Sequence, residues 1–103
     1  MSSGRIDFGE YLLELRTNAG YSQKKVADKL DIDISLLSKI EHGERQVQGH
    51  MLKPLAELFK ISYKDLQMQF LNQRIEEQFG EEPYILETIE AFLKQRKTGL
   101  FKK

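Results

Sequence analysis

Ser22-Gln23-Lys24-Lys25-Val26-Ala27-Asp28-Lys29-Leu30-Asp31-Ile32-Asp33-Ile34-Ser35-Leu36-Leu37-Ser38-Lys39-Ile40-Glu41 reads as two short helices joined by a tight turn. Ser22 is an N-cap, since its hydroxyl can accept from a free amide of the first turn. Val26, Ala27 and Leu30 recur at the spacing that puts them on one helical face. Asp31-Ile32-Asp33 interrupts that pattern, and Asp33 is a second cap. Leu37, Ile40 and Glu41 then lie along the inner face of the second helix. Ala27 sits where the two helices cross, and a larger side chain there would force them apart. A helix pair with a small residue at the crossing and a three-residue turn has the shape whose second helix enters a DNA major groove.

Working outward, Asp7 can cap a first helix, with Glu10 three residues on as in a capping box. Phe8, Leu12, Leu15 and Ala19 are expected to face inward along it, with Leu13 off the stripe and Gly20 suited to the C-terminal cap. Tyr21 is placed to staple onto Val26 or a neighbour. Past the second helix of the pair, His42 to Gly49 is a polar loop bounded by glycines, and Gly43 suits a helix C-terminus. Met51, Leu52, Leu55, Ala56, Phe59 and Ile61 are the apolar set of a fourth helix. Pro54 in its interior would cost roughly 3 kcal/mol. The helix is therefore expected to start near Met51, which places Pro54 in the first turn, or else to be kinked. Ser62 caps a fifth helix that runs to about Phe79 and ends at Gly80. A sixth follows Pro83 and carries Tyr84, Ile85, Leu86, Ile89, Phe92 and Leu93.

In these positions the chain resembles the Cro/repressor-type helix-turn-helix family, also called the XRE family. The resemblance rests on Ser22-Gln23, Ala27, Ile32, Leu37-Ser38, Ile40-Glu41 and Gly43-Glu44-Arg45. Gly9, Leu12, Leu15-Arg16 and Gly20 match its first helix; Leu52, Leu55-Ala56, Phe59 and Ile61 match its fourth. It covers about residues 8 to 66. Two positions depart from the pattern: Asp31 stands where the family has a turn glycine, and Val47 where it often has a proline. Aspartate tolerates a left-handed backbone better than most residues, so the turn can survive. Asp-Ile-Asp, Ser38-Lys39-Ile40-Glu41 and Gly43-Glu44-Arg45 also resemble small stand-alone regulators, some of which control restriction-modification genes.

The resemblance implies an all-α fold: a five-helix Cro/repressor-like DNA-binding domain with the fifth helix extended and a sixth C-terminal helix. It implies that Arg16 reaches Glu41 and locks the first helix to the third, for orientation more than net stability. It implies that Gln23 resembles the family's phosphate clamp and that Arg45 lies against the sugar-phosphate backbone. With a recognition helix at about Asp33–Glu41, Ile34, Ser35, Ser38 and Lys39 are the side chains that reach base edges, with Leu36 near the edge. Ser35 and Ser38 discriminate weakly, Lys39 can donate to guanine, and Ile34 can pack on thymine methyls. Part of the specificity would then come from DNA shape. Lys24, Arg45 and His42 are further candidates for phosphate contact, although an ordinary surface histidine is the plainer reading of His42.

The chain has 103 residues, with 16 basic residues balancing 16 acidic ones, so composition alone does not argue for nucleic acid. It has no cysteine, which excludes disulfides and thiolate metal sites. His42 and His50 are not a credible metal pair, and no metal or other cofactor is expected. No apolar run approaches membrane-spanning length, and the N-terminus does not read as a signal peptide, so a cytoplasmic protein is expected. There is no glycine-rich phosphate loop and no nucleophile-base set, so an enzyme is not expected.

Charge is segregated in the last third. Glu76 to Glu90 holds six acids and no Lys or Arg, whereas Lys94 to Lys103 holds five bases and no acid. Solvated helix faces account for this, and a tail on DNA phosphates is the sharper alternative. The expected organisation is a flexible N-terminus (1–7), the DNA-binding domain (8–66), a helical extension (67–97) and a basic tail (98–103). The extension's stripe, with Phe70, Leu71, Ile75, Phe79, Ile85, Ile89 and Phe92, must be buried somewhere. A homodimer on an inverted repeat of double-stranded DNA is the simplest solution, and a sixth helix folded back on its own chain is the other. An antitoxin or protein-binding module whose C-terminal helices grip a protein partner is the alternative function.

Overall fold

The computed structural model describes residues 7–99. The flexible start expected at residues 1–7 and the basic tail expected at 98–103 therefore lie almost wholly outside the described residues. The chain is helical: α1 (Phe8–Ala19), α2 (Gln23–Leu30), α3 (Ile34–Glu41), a 3-10 turn (Gly49–Met51), α4 (Leu52–Phe59), α5 (Tyr63–Phe79) and α6 (Ile85–Thr98). It divides into two compact units, residues 1–73 and 74–103, and the division falls within α5.

Helices α1, α2, α3 and α5 each start where a side chain satisfies an orphan amide, whereas α4 continues from the 3-10 turn without a side-chain cap. Asp7 accepts from Glu10 N at 3.3 Å, Ser22 from Lys25 N at 3.0 Å, Asp33 from Leu36 N at 2.7 Å and Ser62 from Asp65 N at 3.1 Å. The 3-10 turn precedes α4, so Pro54 is its third residue, where a missing N–H is one of the orphans anyway.

The helix ends follow one repeated scheme. Gly20, Asp31 and Lys60 all adopt the left-handed conformation, at φ 73°, 57° and 56°. The next amide then reaches back: Tyr21 N donates to Arg16 O, Ile32 N to Ala27 O and Ile61 N to Ala56 O. This is the Schellman closure, in which the residue after the left-handed one is apolar and packs on the helix it ends. Tyr21, Ile32 and Ile61 are those residues, all packed against the core. Gly20-Tyr21-Ser22, Asp31-Ile32-Asp33 and Lys60-Ile61-Ser62 thus each stop one helix, anchor the chain and cap the next.

The core of the first unit comprises Phe8, Leu12, Val26, Ala27, Leu30, Leu37, Ile40, Val47, Met51, Leu52, Leu55, Ala56 and Leu66. Val47, at the position where the resembled family often has proline, is buried, so the loop is held by packing instead. One expectation needs correction. Ala19 is exposed, because α1 runs past the core before Gly20 turns it. Tyr21 packs against the core and under Lys25, whose Nζ is 4.0 Å from its ring centroid, and it also stacks on Phe59 of α4 at 5.8 Å between centroids.

Backbone contact between α1 and α3 is close. A Cβ at Gly9 would lie 2.2 Å from the Ile40 carbonyl oxygen, so only glycine lets the two helices approach this far. Gln73 of α5 clasps the start of α1: its Nε2 donates to Asp7 Oδ1 at 3.1 Å, and Phe8 N donates to its Oε1. Phe70 stands edge-on to Phe8 beside that clasp, with centroids 6.2 Å apart.

In the second unit, α6 carries no buried residue. Tyr84, Leu86, Ile89, Phe92 and Leu93 are exposed, as are Ile75 and Phe79 on the last turns of α5.

Candidate nucleic-acid interface

The orientation of α3 is set from behind. Glu41 is the one buried charged residue described, at 3% exposure. Its carboxylate accepts from Arg16 Nε at 2.6 Å, Arg16 Nη2 at 3.2 Å and Gln23 Nε2 at 3.1 Å. Arg16 Nη1 donates in addition to the Tyr21 carbonyl at 3.0 Å. A buried carboxylate is tolerable only when its lone pairs are filled by charged or polar donors, and here three donors from two helices fill them. The network ties the last residue of α3 to α1, to the first residue of α2 and to the α1–α2 junction. The pairing of Arg16 with Glu41 matches what the family resemblance implies. The parts played by Gln23 and the Tyr21 carbonyl were not read from the sequence, because neither a main-chain acceptor nor a shared partner leaves a spacing signal.

Behind the other end of α3, Asp33 caps its first turn and the Asp31 turn fixes its angle to α2. Leu37 and Ile40 are buried, and Leu36 packs part-buried against the core. What remains outward is Ile34, Ser35 and Lys39, all exposed, with Ser38 half-buried beside them. The candidate base-reading side chains therefore share the outer face of one helix held rigidly at both ends.

The candidate backbone contacts are arranged around it. Gln23, the first residue of α2, is half-buried, and one of its amide hydrogens is engaged by Glu41. That –NH2 group carries a second hydrogen besides the one donated to Glu41. Lys24 pairs with Asp28 at 3.0 Å, both side chains well exposed, which is a weak and exchangeable contact. Arg45 is exposed in the loop after α3. His42 Nδ1 lies 2.8 Å from the Ser38 carbonyl and 3.5 Å from the Ser38 hydroxyl. A carbonyl can only accept, so Nδ1 carries the proton in that bond, and the neutral ring's Nε2 is then an acceptor. A contact from Nε2 to phosphate requires the imidazolium.

Gly43, at φ 81°, ends α3 with Glu44 N donating to Lys39 O at 2.8 Å. Among the described residues no group of His, Cys, Asp and Glu could hold a metal ion, and no helix is long and apolar enough to cross a membrane.

Two capped helices crossing at a buried alanine, the second presenting a polar outer face, define a helix-turn-helix reading head. The Helix-turn-helix domain family matches residues 9–70. The chain belongs to that family, in its Cro/repressor-like form. A stretch of 57 residues is 37% identical to the HTH-type transcriptional regulator ImmR of Bacillus subtilis (strain 168), covering 55% of this chain and 45% of that protein. The chain thus spans less than half the length of the curated relative it matches. No solved structure matches the chain.

Proposed function

We propose that this protein is a sequence-specific transcriptional regulator that binds an inverted repeat of double-stranded DNA as a homodimer, with α3 of each copy in the major groove. The observation that carries the reading is the outer face of α3: Ile34, Ser35, Ser38 and Lys39 point away from a helix fixed behind by the Arg16–Glu41–Gln23 network. Gln23, Lys24, Arg45 and His42 supply phosphate contacts around that face, which set register without carrying sequence information. That ImmR is a transcriptional regulator is in keeping with it.

Dimerisation is assigned to the extension. Leu71, Ile75, Phe79, Ile89 and Phe92 are exposed large apolar side chains, and Ile85 is half-buried. Phe70 is half-buried and already engaged by Phe8, so it is the least available of the set. The same faces favour the second reading, a module that grips a partner protein, and the two differ in whether the isolated chain self-associates.

Selection of bound duplexes from a random library tests the proposal. An enriched inverted repeat with half-sites about one helical turn apart is the expected result. Substituting Ser35, Ser38 or Lys39 should alter the enriched motif, whereas substituting Arg45 or Lys24 should weaken all sequences alike. Absence of enrichment, with no binding even at low salt, overturns the regulator reading.

A further inference from the structure

The apolar side chains of α6 form a palindrome. Taking Ile89 as centre, Ile85 and Leu86 lie four and three residues before it, and Leu93 and Phe92 four and three after. Within a helix these offsets share one face, so the pattern reads the same in either direction along that face. The flanking charges are reversed about the same centre. Glu81 and Glu82 lie eight and seven residues before Ile89, in the turn leading into α6; Lys97 and Arg96 lie eight and seven after it. Arg96 stays on the apolar side, its guanidinium 5.5 Å from the Phe92 ring centroid. Leu86, Phe92 and Leu93 are 72%, 54% and 51% exposed.

We propose that α6 pairs antiparallel with α6 of a second copy, about a two-fold axis at Ile89. A two-fold axis across antiparallel helices brings each residue opposite the one equally far on the other side of the centre. Ile85 then meets the partner's Leu93, Leu86 meets the partner's Phe92, and Ile89 meets its own counterpart. The end of α6 that carries Arg96 and Lys97 then lies towards the partner's turn that carries Glu81 and Glu82, so the charges that rim the apolar strip attract at both ends. Parallel pairing in register would instead set like charges against like, which costs affinity. A second copy is the occupant that this pattern favours, because a second copy supplies both the matching apolar strip and flanking charges of opposite sign at each end.

A helix of 14 residues is about 21 Å long, too short to bury a standard interface alone. Ile75 and Phe79 of the same unit are exposed and supply further apolar surface. The inference rests on the dimeric reading above and adds its polarity.

The absence of cysteine allows a single spin label at Thr98→Cys, an exposed position at the end of α6. Thr98 is nine residues from the axis, so antiparallel pairing sets two labelled backbones about 30 Å apart at 1.5 Å rise per residue. Parallel pairing sets them about 10–15 Å apart, given interaxial distances of 8–10 Å. The full chain should be a dimer in sedimentation, with the long spacing in dipolar spectroscopy. Reversing Glu81 and Glu82 to Lys should weaken the dimer about tenfold or more, since four surface pairs are lost across the symmetric interface. Adding Arg96→Glu and Lys97→Glu should restore it. A dimer with the short spacing, or one that the second reversal fails to restore, overturns the antiparallel arrangement and leaves dimerisation standing. A chain that stays monomeric at about 100 µM overturns both, and a partner protein then becomes the occupant of the face.

Discussion

Arg16→Ala should destabilise the reading head by about 3 kcal/mol, at the lower end of the range for breaking a buried ion pair. The substitution removes two of the three donors on Glu41 and leaves Gln23 alone with a carboxylate whose side chain is 1% exposed. Glu41 cannot turn to water, because it lies on the inner face of α3 between Arg16 and the core. The lower end applies because the Arg16 side chain is itself 15% exposed, so the pair is not wholly removed from water. For a head of this size the total stability is only about 3–10 kcal/mol. A loss of about 3 kcal/mol lowers Tm by roughly 12–24 °C at ~4–8 °C per kcal/mol. Glu41→Ala should cost less, since the arginine left behind can swing outward. Replacing both residues, Arg16→Met with Glu41→Leu, should recover most of the stability, because an apolar pair carries no desolvation penalty. Urea unfolding followed by circular dichroism checks this through the midpoint at constant m. A loss below about 1 kcal/mol for Arg16→Ala, or single-variant losses that add in the double variant, would refute the coupling.

Lys60→Gly should stabilise the head by about 0.5–1 kcal/mol, since a lysine held at positive φ is strained relative to glycine; Asp31→Gly should gain less, and thermal melts read both. Gly9→Ala should cost about 1–3 kcal/mol, because its Cβ meets the Ile40 backbone and α1 must move off α3; the Tm drop should come with weaker DNA binding. Gln73→Ala should cost about 1–2 kcal/mol by freeing Asp7 and the amide of Phe8, and hydrogen exchange should show the first turn of α1 opening before the rest. With three or four phosphate contacts per head, a dimer should lose roughly a thousandfold or more in DNA affinity between 50 and 200 mM salt; a flat titration would show that the phosphate contacts are not made.

The helix-turn-helix core was legible because its signals are local. Ser22, Asp33 and Ser62 are caps in both readings, and Val26, Leu30, Leu37 and Ile40 declare their faces by spacing. Pro54 sits in the first turn of α4, where a missing N–H costs least, which is a local signal too. What escaped were contacts made between distant segments or through the main chain. The Gln73 clasp joins residues 66 apart, and nothing in the local pattern of α5 distinguishes Gln73 from its polar neighbours. Lys60 is not a residue type that announces a left-handed turn, although its setting, followed by Ile61 and Ser62, repeats that of Gly20 and Asp31. Ala19 obeyed the spacing rule and was still exposed, because periodicity says which face a residue occupies and not how far the core extends beneath it.

The charge of the head bears on how such a module can hold DNA. Residues 7–73 contain nine Lys and Arg against ten Asp and Glu, and Arg16, Lys24 and Lys29 are each paired with a carboxylate. A head that is not net basic gains little from the general attraction that supplies most non-specific affinity. Its grip must come from contacts held in register, which is the work of the rigid attachment of α3 through Glu41, Asp33 and Gly9. Two such heads joined in one molecule raise affinity through effective concentration rather than through charge. On the proposed reading, the near-neutral head and the exposed apolar extension are therefore complementary. The first keeps a single copy from binding arbitrary DNA, and the second lets a pair of copies bind the right spacing tightly.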